Sequence, residues 1–175
     1  MAEFEIALKI TLGNEGIYSA DPVDAGGETC FGISRRYHPD WPGLGTVDRY
    51  KTDKRFPEIL AGDEVLRDEV NRFYKVKFWD ALLLDKVKNQ KVANLLFDTA
   101  VNIGVNQTLA LCNLTTGKNN QQFNLDLIGD INRMDSLFIY KFTIYRISRY
   151  SYLVHTNPNN KKFFYGWVKR CLVFV

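Results

Sequence analysis

The chain has 175 residues, of which 46% are hydrophobic and 25% charged, with a formal net charge of +3. That is the profile of one globular domain, able to bury roughly two thirds of its unfolded surface. The N-terminus MAEFEIALKI carries acids where a signal peptide needs bases, and no apolar run approaches the roughly 20 residues of a bilayer span, so a chain made in the cytoplasm without a leader, and not inserted in a membrane, is expected.

Charge is divided unevenly. Residues 1–85 hold 11 basic and 16 acidic side chains, a balance of −5, whereas residues 86–175 hold 12 basic and 4 acidic, a balance of +8. The C-terminal half should therefore attract anionic polymers or present a solvated basic face, and charge alone does not choose between nucleic acid, a membrane surface and an acidic wall polymer. No recognised nucleic-acid motif accompanies it, so nucleic acid falls behind. The three cysteines, Cys30, Cys112 and Cys171, are far apart, and no C-x-x-C or Cys/His cluster suggests zinc. They are expected to be reduced packing residues.

In chain order, Phe4, Ala7, Leu8 and Leu12 recur at helical spacing, and Gly13 and Gly16 are stop signals, so a first helix should end close to Glu15. Asp-Pro at 21–22 and Gly-Gly at 26–27 are turn chemistry, and residues 29–34, TCFGIS, suggest a small β-hairpin near residues 26–34. His38 to Pro57, rich in Pro, Gly and aromatics, is expected to be an ordered surface segment. A second helix should start with Asp63 as N-cap and run through Val65, Leu66, Val70, Phe73 and Tyr74 to Trp79. A third runs from about Gln90, with Val92, Leu95, Leu96, Thr99 and Ile103 on one face and Gly104 as its stop. A shorter helix covers Asn106 to Leu114, a polar loop covers Thr115 to Asn124, a long helix spans Asp130 to Val154, and a last one lies around Phe163 to Leu172. The short connections and the absence of repeats predict one compact, mainly α domain over 1–175.

The chemistry concentrates early. Nothing from Ile10 to Ser34 carries positive charge, yet Glu15, Asp21, Asp24 and Glu28 lie there with five glycines. A partly desolvated carboxyl at a helix end has its pKa raised toward that of a general acid working near neutral pH. Glycoside hydrolysis needs such an acid, with a second carboxylate or a held water to meet the oxocarbenium-like centre. Glu15 suits the first role, because Gly13 and Gly16 leave space around it, and Asp24 and Thr29 are candidates for the second. Alternatively Asp21 and Asp24 merely cap turns. The D-x-D-x-D-G pattern of calcium loops is absent, and no metal or cofactor is expected.

Tyr18, Tyr37, Trp41, Phe78 and Trp79 either line a sugar cleft or pack the core; Tyr18, three residues from Glu15, is the better cleft candidate, while Phe78 and Trp79 end an amphipathic helix and suit a core. Asn102 either hydrogen-bonds in a cleft or caps a helix before Gly104. Gly166 and Trp167 suggest close helix packing, Arg170 a pairing with an acid from another helix, and His38 and His155 surface positions.

Residues 15–34, EGIYSADPVDAGGETCFGIS, resemble the signature of the glycoside hydrolase family 108 lysozymes, approximately E-G-G-Y, D-P-x-D-x-G-G-E-T and G-I-S. They match at Glu15, Gly16, Tyr18, Asp21, Pro22, Asp24, Gly26 to Thr29 and Gly32 to Ser34, and depart at Ile17, where the family has a second glycine, and at Ala25, where Pro is common. A β-branched side chain at 17 resists a positive φ, should the family's glycine need one. Further on, RFYKVKFWDALLLDKV, LFDTAVNIGVNQTLALCN and FFYGWVKRC resemble the family's aromatic segment, its F-D-x-A-V-N-x-G helix and its F-x-x-G-W-x-x-R ending.

The resemblance implies a lysozyme-like helical fold, with a catalytic region over 1–88 and a helical peptidoglycan-binding region over 89–175. It implies an N-acetylmuramidase cleaving the β-1,4 bond between N-acetylmuramic acid and N-acetylglucosamine, with no cofactor, acting as a monomer on peptidoglycan strands at the wall of a bacterial or phage-infected cell. Members of this kind are also described as secretion activators. The family's catalytic glutamate carries over to Glu15. Phage-type lysozymes space their glutamate, aspartate and threonine as E-x8-D-x5-T, whereas Glu15, Asp24 and Thr29 give E-x8-D-x4-T. Asp24 and Thr29 are held as the transition-state and water-positioning residues, with Tyr18, Asp21, Glu28 and Asn102 as substrate contacts. A lytic transglycosylase and a non-catalytic wall-binding or secretion-associated module remain as alternatives.

Overall fold

The computed structural model describes residues 1–13, 16–20 and 27–175. The chain divides into two compact units, a hairpin unit of Leu8–Lys77 and a helical unit of Met1–Ala7 with Phe78–Val175.

The first helix, α1 (Phe4–Leu12), buries Phe4, Ala7, Leu8 and Thr11 at the helical spacing of the sequence and stops just before Gly13. In the hairpin unit, β1 (Tyr18–Ser19), β2 (Thr29–Cys30) and β3 (Ile33–Ser34) form an antiparallel sheet in that order. Tyr18 faces Cys30 and Ser19 faces Thr29 across β1 and β2, and Cys30 faces Ile33 across β2 and β3. The two-residue loop Phe31-Gly32 has φ of 47° and 77°, the positive values that let a short hairpin turn follow the twist of its strands. Gly32 adopts this freely; Phe31 does not, and its backbone is held on both sides. Its N–H donates to the Ile17 carbonyl at 2.9 Å, and its carbonyl accepts from the Tyr74 hydroxyl at 2.8 Å.

The segment after the sheet, expected only as an ordered surface segment, contains a helix not foreseen from the sequence. It forms α2 (Gly43–Tyr50), which buries Leu44, Thr46 and Val47 and packs on α3 (Glu64–Tyr74). The Trp41 ring folds back over Gly43 so closely that a Cβ there would lie 2.2 Å from a ring carbon. Asp63 caps α3 as the sequence suggests, its carboxylate accepting from the Leu66 N–H at 2.7 Å. Beyond Tyr74 the expected helix widens into a π-type turn, Lys75–Asp80.

The helical unit is built around α4 (Gln90–Ile103), in which Val92 to Ala100 are all buried. A helix buried on every side belongs in a core, and the polar Asn94, Asp98 and Thr99 are buried along with its apolar residues. Trp79 packs edge-on against Phe4 and Phe97, with ring centroids at 5.7 and 6.0 Å, so its place is in the core. After Gly104 come α5 (Val105–Thr116) and α6 (Leu125–Met134), the latter capped by the Asn124 carbonyl oxygen on the Leu127 N–H at 2.9 Å. The single long helix expected from 130 is in fact two, because Asp135, at φ 46°, breaks the chain between α6 and α7 (Ser136–Thr156). The last helix, α8 (Lys161–Leu172), packs on α7, which also meets α4, α5 and α6. A Cβ on Gly166 would meet nothing within 4 Å, so this glycine serves no close approach; Trp167 nonetheless stacks on Tyr150 and Phe163. The three cysteines are free and buried.

Candidate functional site

Glu15, Asp21 and Asp24 lie outside the described residues. In sequence Glu15 falls between α1 and β1, and the two aspartates fall between β1 and β2, so the described frame of their site is the end of α1, the sheet and what braces it. Ile17 is not among the positive-φ residues, which among the described non-glycines are Phe31, Leu83 and Asp135. The β-branched side chain therefore sits at 17 without left-handed backbone.

Glu28, just before β2, is the hub of a charged brace. Its Oε2 accepts from Arg35 Nε at 2.7 Å, and its Oε1 accepts from Lys51 Nζ at 2.8 Å and from the Tyr18 hydroxyl at 3.2 Å. Asp48 on α2 completes the ring, its Oδ1 binding Arg35 NH2 at 2.6 Å and Lys51 Nζ at 2.8 Å. The backbone closes the same gap, with the Arg35 N–H donating to the Glu28 carbonyl at 2.9 Å. Burial works to raise the Glu28 carboxyl, but hydrogen bonds and charge from Arg35 and Lys51 outweigh it and hold the group below the usual carboxylate range. Hydrogen bonds from Lys51 and Arg35 lower Asp48 in the same way.

Glu28 is thus ionised at neutral pH and acts as a brace between β2 and α2, not as a proton donor. Tyr18 is half-buried, its ring edge-on to Phe56 at 4.6 Å. Burial, then the Glu28 charge, pushes its phenol up. The Cys30 thiol beside it is pushed up to about 12 by burial and the same charge, which makes it an inert packing thiol. Thr29 stands on β2 opposite Ser19 on one side and Ser34 on the other.

Tyr37 and Trp41 line a cavity of about 450 Å³ between the 37–42 segment and α3, together with His38, Arg72, Phe73 and Lys77. Trp41 is buried and its indole N–H donates to the Glu69 carbonyl at 3.4 Å, whereas Tyr37 is 63% exposed. His38 is half-buried against Phe73; burial, then Lys77, lowers its imidazole and leaves it neutral at neutral pH.

Asn102 belongs to the helical unit, where its Oδ1 accepts from the Tyr150 hydroxyl at 2.5 Å. That bond ends a buried polar chain. Asp98 binds Arg146 NH2 and Arg170 Nε, both at 2.8 Å, and Arg146 Nε donates to the Tyr150 oxygen at 3.1 Å. The acid expected for Arg170 is Asp98. Reading the sequence missed Arg35 and Lys51 as partners of Glu28, and Asp48 as the second acid that those two cations share. One signal was available, since Arg35 is the first cation after the acidic, glycine-rich run. Among the described residues no group of three or more His, Cys, Asp or Glu is placed to hold a metal ion, and no helix is long and apolar enough to cross a membrane.

The family model for glycosyl hydrolase 108 matches residues 8–104. The chain belongs to that family. The match takes in the whole hairpin unit, including the Glu15 to Ser34 stretch, and runs through α4. Among solved structures, that of Brucella abortus SagA resembles this chain with a TM-score of 0.70 at 18% identity, covering 98% of this chain and 90% of that one. At that identity the likeness speaks of fold alone, and it extends over α5 to α8, beyond the family match. No curated protein matches the chain. Fold and family together make this a mainly α, lysozyme-like member of a glycoside hydrolase family.

Proposed function

We propose that the protein is a peptidoglycan hydrolase, an N-acetylmuramidase in which Glu15 is the general acid. The observation that carries this reading is the glycosyl hydrolase 108 match across the stretch that holds Glu15, in a motif whose second glutamate, Glu28, is locked in ion pairs. Glu28 is committed as an anion, and of the other carboxylates in the motif Glu15 is the one that the resemblance gives as the acid, with Asp21 as the competing carboxylate. The Glu15 proton passes to the bridging oxygen as the bond to C1 of the N-acetylmuramyl unit breaks, and Asp24 steadies the positive centre while Thr29 positions the incoming water. Asp21, Tyr18 and Asn102 remain candidate substrate contacts, Tyr18 through its ring and through its hold on Glu28. The enzyme acts at the cell wall as a monomer and needs no cofactor.

Digestion of purified peptidoglycan, with fragments analysed by mass spectrometry, tests this directly. The muramidase releases fragments with reducing N-acetylmuramic acid ends. Fragments with 1,6-anhydro ends would make the protein a lytic transglycosylase, which uses the same acid without a placed water. Binding without release would make it a non-catalytic wall module.

A further inference from the structure

Helix α7 breaks the usual rule for a surface helix. One side, with Phe138, Ile139, Phe142 and Tyr150, is buried in the helical unit. The other side should be polar. Instead, at about 100° per residue, Leu137, Tyr140, Ile144, Tyr145 and Tyr152 fall in one stripe about 140° wide, and they are 53%, 55%, 66%, 37% and 60% exposed. Exposed Ser148, Ser151 and His155 also fall within that arc, so the apolar surface is a patch of Leu137, Tyr140, Ile144 and Tyr145 over the first turns, with Tyr152 further on. Single exposed apolar residues need no explanation, but such a patch does. Among the described residues, 10 of the 17 large hydrophobic side chains that are exposed lie between Leu137 and Val175.

Charge narrows the choice of what covers the stripe. From Ser136 to Val175 the chain contains seven Lys and Arg and no Asp or Glu. Arg146 and Arg170 are engaged by Asp98 inside the unit, whereas Lys141 lies exposed within the stripe and Arg149, half-buried, at its edge. The nearest acid in sequence, Asp135, precedes the helix and accepts from Asn89 Nδ2 at 2.6 Å. A second copy of the chain pairing through this face would set like charges together. A sugar chain is gripped by carboxylates and amides as well as aromatic faces, and the stripe offers tyrosine rings but no carboxylate and no amide. Aliphatic side chains flanked by tyrosines and cations, without acids, complement an anionic bilayer. There the tyrosine rings rest at headgroup level, the aliphatics reach the acyl boundary and the cations meet phosphates.

We propose that the exposed face of α7 docks flat on an anionic phospholipid surface, holding the protein at the membrane without crossing it.

The test is co-sedimentation of the full chain with phosphatidylglycerol-containing vesicles and with pure phosphatidylcholine vesicles. Binding should be at least about tenfold tighter to the anionic vesicles, and should collapse at about 1 M salt, where the Debye length is about 3 Å. Tyr140→Ser combined with Ile144→Ser should weaken it about tenfold, and so should Lys141→Glu alone. All three side chains are exposed, so circular dichroism and melting temperature should stay at wild-type values. Glu15→Gln should bind vesicles like wild type, which separates this inference from the proposed hydrolase activity. Failure to bind anionic vesicles, equal binding to both kinds, or variants that bind like wild type would each overturn the proposal. So would finding that the substitutions abolish only self-association or only retention on purified peptidoglycan.

Discussion

Replacing Asp98 by Asn should destabilise the helical unit more than any comparable change of one oxygen to nitrogen elsewhere in the described chain. Asp98 has 1% of its side chain exposed and holds Arg146, at 0%, and Arg170, at 18%. One anion is buried with two cations, and Arg146 has no second carboxylate to turn to: its Nε is bonded to Tyr150, and its NH1 is buried without a hydrogen-bond partner. Removing the anion leaves a guanidinium uncompensated in the core, which costs about 3–5 kcal/mol, whereas exchanging the whole ion cluster for packed apolar side chains is often close to neutral. For a chain of this size each kcal/mol is about 2–4 °C in melting temperature, so Asp98→Asn should melt about 6–20 °C lower. Hydrogen exchange should rise in α4, α7 and α8, the helices the cluster ties together. A loss below about 1 kcal/mol, or increased exchange confined to other helices, would refute the idea that this cluster is a structural clamp.

Glu28→Gln should cost about 1–2 kcal/mol, reduced from the value for a fully buried charged bond because Arg35 and Lys51 are partly exposed and keep Asp48. Glu28 and Asp48 are both held below their ordinary values of 4.5 and 3.8. Their contribution is therefore complete above those values and is lost as pH falls through the lower folded values. Melting temperature followed from neutral pH down into that acid range should fall less steeply for Glu28→Gln than for wild type; parallel curves would remove the brace as a source of acid sensitivity. Gly43→Ala should destabilise α2 by about 1–3 kcal/mol, since the new methyl overlaps the buried Trp41 ring; an unchanged melting temperature contradicts that packing. Gly104→Ala should cost about 1–3 kcal/mol, because φ 85° with ψ 157° is a backbone region open essentially to glycine, and urea denaturation measures it.

Much of this fold was legible, and the exceptions have physical causes. The bounds of α4 follow from Val92, Leu95, Leu96, Thr99 and Ile103 on one face and Gly104 after it, because periodicity and stop signal agree. Helix α2 was hidden by Gly43, Gly45 and the prolines around it, which lower intrinsic helix preference; packing of Leu44 and Val47 and the closure of Trp41 over Gly43 override that preference. The division between α6 and α7 left no mark on the apolar pattern, and only the positive φ of Asp135, a residue type that tolerates it, reveals the corner. At the candidate site the motif pointed to Glu15, Asp24 and Thr29, but the brace on Glu28 was invisible because Asp48 lies on that unforeseen helix and Lys51 at its C-terminal cap. Glu28 shows the limit of residue type as a guide: an acidic run does not reveal which of its carboxylates is held in ion pairs.

The central claim is that Glu15 supplies the proton for glycosidic cleavage, and the most direct measurement is the rate at which Glu15→Gln releases reducing ends from purified peptidoglycan, beside wild type and Glu28→Gln. A general acid contributes about 10²–10⁴-fold. Glu15→Gln should lose a factor in that range with wild-type melting temperature and retained wall binding, while Glu28→Gln should keep substantial turnover at temperatures where it stays folded. Release by Glu15→Gln at the wild-type rate would contradict the account.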